Sequence, residues 1–216
     1  GGKMPRGVAP AWGVSGGDAG DERVVVCAAE DFVKKELAGV DGSHDWWHIH
    51  RVRNLALKLA SMEGISEPTK LEVIELAALL HDVKDWKYSG SDHAGVTAVE
   101  EFLQSINYSP EHTKTILFVI SNIGFKEVLS KKMKPAITPE LGIVQDADRI
   151  DAIGAIGIAR CFTFGGSKHR VLHDPTIAPR TELSKESYMK EKGTTINHFH
   201  EKLLLLKDKM KTKSGR

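Results

Sequence analysis

Cysteine is scarce in this chain. Cys27 and Cys161 are the only two in 216 residues, too few for a disulfide-stapled scaffold and in keeping with a reducing compartment, so no disulfide is expected. Net charge is nearly absent as well: 30 Lys and Arg stand against 29 Asp and Glu, a formal charge of +1. The whole-protein field therefore offers little attraction to nucleic acid. No apolar run approaches the roughly 20 residues that cross a bilayer, and residues 1–21 lack the apolar centre of a signal peptide. What is present, 41% hydrophobic and 27% charged residues, is the composition of one ordinary globular domain large enough for a continuous core.

The periodicity is helical almost throughout. Val25, Ala28, Ala29, Phe32 and Val33 mark a helix over residues 22–37, stopped by Gly39. Asp45 or Ser43 caps a second, whose stripe is His48, Val52, Leu55 and Leu59. Pro68 opens a third, with Leu71, Ile74, Ala77, Ala78 and His81 facing inward. Residues 92–103 and 111–123 read as two more, and a long segment over 140–164 carries Asp146, Asp148 and Asp151. Ile196, Phe199, Leu203, Leu206 and Met210 predict a closing amphipathic helix. With no sustained strand alternation and no short repeat, the chain is expected to be all-α.

Residues 1–21, rich in Gly, Pro and Ala and beginning without Met, are expected to form a flexible extension that leaves any organelle address unreadable. The domain is expected over 22–211, with a polar insertion or flap at about 165–194 and a short tail at 212–216.

His48, the adjacent pair His81 and Asp82, and Asp148 stand out, because each lies near the inward side of a helix. Their nitrogen and oxygen donors suit a divalent ion such as Mn, Fe, Zn, Ni or Co, with coordination positions left open for water and a phosphate oxygen. Taken alone, a histidine closing an apolar stripe is more often a satisfied core residue than a ligand, and a lone Asp at a helix end is more often structural.

Three stretches shift that balance: His48-Ile-His-Arg51-Val52, Ala78-Leu-Leu-His81-Asp82, and the run from Asp146 through Asp148-Arg149-Ile-Asp151 to Arg160. Together they resemble the signatures of HD-domain metal-dependent phosphohydrolases over residues 24–211. Ser43-His-Asp-Trp-Trp-His48, His81-Asp-Val-Lys-Asp85-Trp-Lys-Tyr88 and Asn197-His-Phe-His-Glu-Lys202 are similar to the compact YedJ/YpgQ-like group. The resemblance implies an HD-domain helical bundle with a buried metal site, and carries the ligand pattern onto His48, His81, Asp82 and Asp148. It also implies one divalent ion, Mn2+ foremost, with Fe, Co, Ni, Zn or Mg as alternatives. Similar relatives continue with an apolar helix beyond a lysine-rich segment such as 207–213, and incomplete C-terminal packing is the expectation from that departure.

By the same resemblance Asp85 is the general base or water-orienting candidate, beside a plain salt-bridge reading. Asp151 is a candidate to orient a ligand or water, and Asp146 to cap or pair locally. Lys84, Lys87, Lys126 and Arg149 are candidate phosphoryl clamps, each weighed against an ordinary solvated or structural charge. Arg51 is a partner for an active-site carboxylate or phosphate, and His93 a phosphate donor or a surface residue. Lys168, His169, Arg170, His173 and Arg180 form a basic cluster suited to a polyphosphate tail. Trp46 and Trp47 read better as core or staple residues than as base-stacking ones, and nothing local makes Cys161 a nucleophile.

The resulting expectation is a nucleotide phosphohydrolase, foremost one that converts (deoxy)nucleoside triphosphates to monophosphate and pyrophosphate. A nucleoside 5′-monophosphate phosphatase and a non-enzymatic nucleotide-binding regulatory module stand as alternatives. The expected partner is a small-molecule nucleotide; neither nucleic acid nor membrane is expected, a homodimer is left open, and a cytoplasmic location is expected.

Overall fold

The computed structural model describes residues 19–84, 93–125, 136–180 and 193–216. Within them the chain is helical: α1 Ala19–Glu36, α2 Trp46–Met62, α3 Pro68–Leu80, α4 Ala94–Ser105, α5 Pro110–Asn122, α6 Pro139–Asp151, α7 Gly154–Ser167 and the short α8 Asn197–Glu201. None of these is long and apolar enough to cross a membrane.

Local chemistry sets half of the described helix starts. Asp45 accepts from the His48 N–H at 3.1 Å and caps α2, satisfying one of the donors a helix start leaves unpaired. Ser109 and Thr138 cap α5 and α6 in the same way, and α3, α5 and α6 each begin with proline at a position that needs no N–H donor. Gly39, with φ +82°, follows the end of α1.

The centre of the bundle is α3. It packs against α1, α2, α5 and α6, and Val73, Ile74, Leu76, Ala77, Ala78, Leu79 and Leu80 are all buried. The single inward face expected for this helix is therefore too narrow, because neighbours surround it. α2 and α6 lie against each other as well as against α3, so the segments carrying His48, His81 and Asp148 share one core. Phe32 of α1 stacks on Phe102 of α4 at 4.3 Å between centroids.

The closing helix and Trp47 also depart from expectation. The helix expected across 196–210 is broken into α8 and two 3-10 turns, Leu203–Leu205 and Lys207–Lys209. Leu203 and Leu206 still reach a common patch on Phe125, since residues three apart share a face in a 3-10 turn as in an α-helix. Trp47 is 61% exposed, whereas Trp46 packs against the core.

Asp146 does not pair locally. Fully buried, it accepts from the N–H groups of Lys211 and Thr212 and from the Thr212 hydroxyl, at 2.7–2.9 Å. The segment after Met210 is thereby anchored on α6, and the Ser214 N–H reaches Glu63 near the end of α2.

Candidate metal centre and cavity

The first turn of α2, the end of α3 and the last turn of α6 meet at one point. His48 Nε2 lies 3.3 Å from Asp82 Oδ2 and 3.6 Å from Asp148 Oδ1. His81 Nε2 lies 3.7 and 3.9 Å from the same two oxygens. The donor atoms of His48, His81 and Asp148 fall within 4.8 Å of one another, and Asp82 reaches the same place from the residue after His81.

Both imidazoles are held in one tautomer. His81 Nδ1 can only donate to the Ala78 carbonyl at 2.8 Å, and His48 Nδ1 to the Asp151 carboxylate at 2.8 Å, because those partners are acceptors. The Nε2 lone pairs then face each other's surroundings, buried and without a hydrogen-bond partner. An unpartnered buried polar atom costs about 1–3 kcal/mol. Two of them aimed at two carboxylates are what a divalent ion satisfies, and the donor set fits one.

Asp151 does more than receive one proton. Its carboxylate also accepts Arg51 Nε at 2.7 Å and Arg51 Nη2 at 3.1 Å, and pairs with Arg160 Nη1 at 3.1 Å. Burial works to raise its pKa, but the hydrogen bonds from His48 and Arg51 prevail and hold the carboxyl well below the usual carboxylate range. For His48, burial opposes the charged ring, yet Asp151 and Asp82 outweigh it and raise the pKa. A divalent ion at Nε2 would take the place of a proton drawn there by Asp82, with Nδ1–H still donated to Asp151. Asp148, one-third exposed, is also pushed up by burial and pulled lower by His81 and His48.

Asp82 and Asp148 form part of the wall of a cavity of about 560 Å3. Six cationic residues also line it, Arg149, Arg160, Lys168, Arg170, Arg180 and Lys202, among apolar ones such as Ile123, Ile177 and Leu206. Phe125 and Phe164 add aromatic surface; Lys168 and Arg170 lie over the Phe164 ring, and Lys202 over the Phe125 ring. Gly165 lets α7 come so close to Thr195 that a Cβ there would collide with its side chain. Burial pushes up the Cys161 thiol in this wall.

A profile of the HD domain matches residues 46–153, half of the chain and the part that holds all four candidate ligands. Bacillus subtilis YpgQ is 33% identical over 86% of this chain and 80% of its own length. The chain belongs to the HD-domain superfamily, in its YpgQ/YedJ-like group. A Lactobacillus plantarum crystal structure superposes with a TM-score of 0.79 at 33% identity, covering 89% of this chain and 86% of the other. An HD-superfamily hydrolase of Bacillus thuringiensis gives 0.63 at 38%, covering 90% and 86%. YpgQ in complex with ADP gives 0.62 at 30%, covering 88% and 86%. As an HD-superfamily member with a buried His/Asp cluster, the protein is a metal-dependent phosphohydrolase.

The HD site brings together His48, His81, Asp82, Asp148 and Asp151. Arg51 is drawn to Asp151 and does not line the cavity. Lys84 pairs with Glu36 at 3.6 Å, and His93 is exposed at the start of α4; neither lines the cavity. Arg149 does, buried, with Nη1 on the Lys209 carbonyl and Nη2 without a hydrogen-bond partner. Asp85, Lys87 and Lys126 lie outside the described residues. Of the basic cluster, Lys168, His169, Arg170 and Arg180 reach the wall, whereas His173 is exposed elsewhere. The HD-domain signatures gave no role to His44, Arg160, His198, Glu201 or Lys202. Arg160 closes the third HD signature, and the other four lie in motifs similar to the compact group; those resemblances are the signal in the sequence that points to them.

Proposed function

We propose that this protein is a nucleotide pyrophosphohydrolase, converting a (deoxy)nucleoside triphosphate and water to the monophosphate and pyrophosphate. The observation that carries the reading is the continuity of the His/Asp centre with a cavity walled by six cationic side chains. A nucleotide with several phosphates meets both: one phosphate at the centre, the others against lysine and arginine, in a volume typical of small-molecule sites. The ADP complex of YpgQ supports a nucleotide.

In this reading His48, His81, Asp82 and Asp148 hold one divalent ion, Mn2+ by preference. Such an ion supplies Lewis acidity and a water of lowered pKa. Asp151 keeps His48 Nδ1 protonated and the ring oriented, with Arg51 and Arg160 neutralising the buried acid. Asp85 is the base candidate that accepts the proton of the attacking water. The α phosphorus gains the water oxygen and loses the oxygen bridging to the β phosphate, and Arg149 with the wall lysines and arginines offsets the charge on the departing pyrophosphate.

The test is product identity. Metal-stripped protein is incubated with Mn2+, Co2+, Ni2+, Mg2+ or Zn2+ and a panel of ribo- and deoxynucleoside tri-, di- and monophosphates, with Asp82→Ala and Asp85→Ala alongside. Monophosphate with intact pyrophosphate, absent for Asp82→Ala, is the expected result. Nucleoside plus orthophosphate from monophosphates would make the protein a monophosphatase, and tight nucleotide binding with no turnover a regulatory module.

A further inference from the structure

Glu201 is an acid with 2% of its surface exposed, on a helix of five residues. It does not line the cavity; Arg180, in front of it, does. Its Oε1 accepts the Arg180 backbone N–H and Nε, each at 3.0 Å, and its Oε2 accepts Nη2 at 2.5 Å. The fork uses two of the five N–H donors of the guanidinium. Gly193 lies over the pair, so that a Cβ there would stand 3.4 Å from Glu201 Oε1 and 3.5 Å from Arg180 Nη2.

A buried ion pair is a poor device for stability alone, since apolar residues of similar volume often do as well. Residues 168–180, the segment that crosses from α7 toward α8, are held by other bonds as well. Thr195 N–H donates to the Val171 carbonyl at 2.9 Å, Ile196 N–H to Leu172 at 3.0 Å, and the Asn197 amide to Ile177 at 2.8 Å. What Glu201 adds to these bonds is direction: it fixes how one guanidinium is presented in the wall. The arrangement repeats that of Asp151, a buried carboxylate behind the ring of His48.

We propose that Glu201 is a positioning residue, which holds Arg180 with Arg170 and Lys202 as a preformed cradle for the polyphosphate of the substrate. The proposal rests on the nucleoside triphosphate reading above. Preorganisation lowers the cost of fixing a long side chain when the anion arrives.

Inorganic triphosphate is the probe, titrated calorimetrically into the metal-free full chain. Arg180→Ala lowers its affinity about tenfold to a hundredfold, the worth of a charge-assisted contact. Glu201→Gln lowers it at least about fivefold, Glu201→Asp recovers part of the loss, and Mn2+ binding stays within about twofold of wild type in all of them. With nucleoside triphosphate, KM rises and kcat falls together while Mn2+ affinity holds, a pattern that general loosening of the fold would not give. Equal triphosphate affinity in wild type and Arg180→Ala would overturn the cradle, and equal affinity in wild type and a folded Glu201→Gln would overturn the positioning role. If Glu201→Gln does not fold by circular dichroism, Arg180→Lys decides: it keeps the charge without the fork, and wild-type affinity there overturns the proposal. Hydrolysis to pyrophosphate together with Arg180-independent binding defeats this inference and leaves the functional reading standing. Arg180-dependent binding in a protein that cleaves no nucleotide does the reverse.

Discussion

The metal end of the cavity stands on α2, α3 and α6, three helices of 13 to 17 residues that share one core. Of the cationic wall, Arg149 stands on α6 and Arg160 within α7, whereas Lys168, Arg170, Arg180 and Lys202 stand on the end of α7, the irregular residues 168–180 that follow it, and the end of a five-residue helix followed by 3-10 turns. Both ends back a functional cation or ring with a buried carboxylate. They differ in what else holds the geometry. At the metal end, helix packing fixes the ligand backbones, and Asp151 adjusts a ring already in place. In the wall, backbone hydrogen bonds tie the segment, but the direction of Arg180 depends on Glu201. Positional accuracy is therefore greatest where ligand atoms must converge, and adjustable side chains face the part of the substrate that needs only charge.

The largest effect expected from breaking this division is at the ligands. Asp82→Ala abolishes turnover, by at least about a thousandfold, with the thermal transition preserved; phosphate or pyrophosphate release in the presence of Mn2+ measures it. Asp151→Asn leaves the four ligands in place but weakens the support behind His48, and is expected to lower Mn2+ affinity about tenfold to a hundredfold, read by metal titration.

Glu201→Gln tests the other end through pH. Burial raises the Glu201 pKa, but its bonds from Arg180 prevail and lower it. A depressed carboxyl contributes stability above its unfolded pKa, about 4.3, and loses that contribution as pH falls through the lower folded value. Wild type therefore exceeds Glu201→Gln in stability by about 3 kcal/mol at neutral pH, the lower end for breaking a buried pair because Arg180 keeps some solvent. The gap narrows below about pH 4. Denaturant titrations of both proteins across pH 3 to 7 measure it; a gap that widens in acid would contradict the assignment. The smallest effect is at the surface: Trp47→Ala, at an exposed site, changes stability by no more than about 0.5 kcal/mol in the same titration.

These regions also differ in how far the sequence discloses them. Asp45, Pro68 and the helical stripes announce α2 and α3 within a few residues, since caps and core faces are local chemistry. The ligands sit at the ends of those stripes, and the HD signatures separate them from ordinary core histidines. Arg51 has a partner 100 residues away, a choice no spacing encodes. The closing segment reads as one helix from the sequence because Leu203 and Leu206 suit an α-helix and a 3-10 turn equally. The wall is hidden for a related reason: Arg180 and Glu201 are 21 residues apart, and the pairing of residues 168–180 with residues 195–197 helps to bring them together.

The central claim is that His48, His81, Asp82 and Asp148 hold one divalent ion. It is tested most directly by an anomalous difference map from crystals grown with Mn2+. The account predicts a single strong peak within about 2.0–2.3 Å of His48 Nε2, His81 Nε2 and an oxygen of each aspartate. A map with no peak there, from protein that turns over nucleotide with Mn2+, would contradict it.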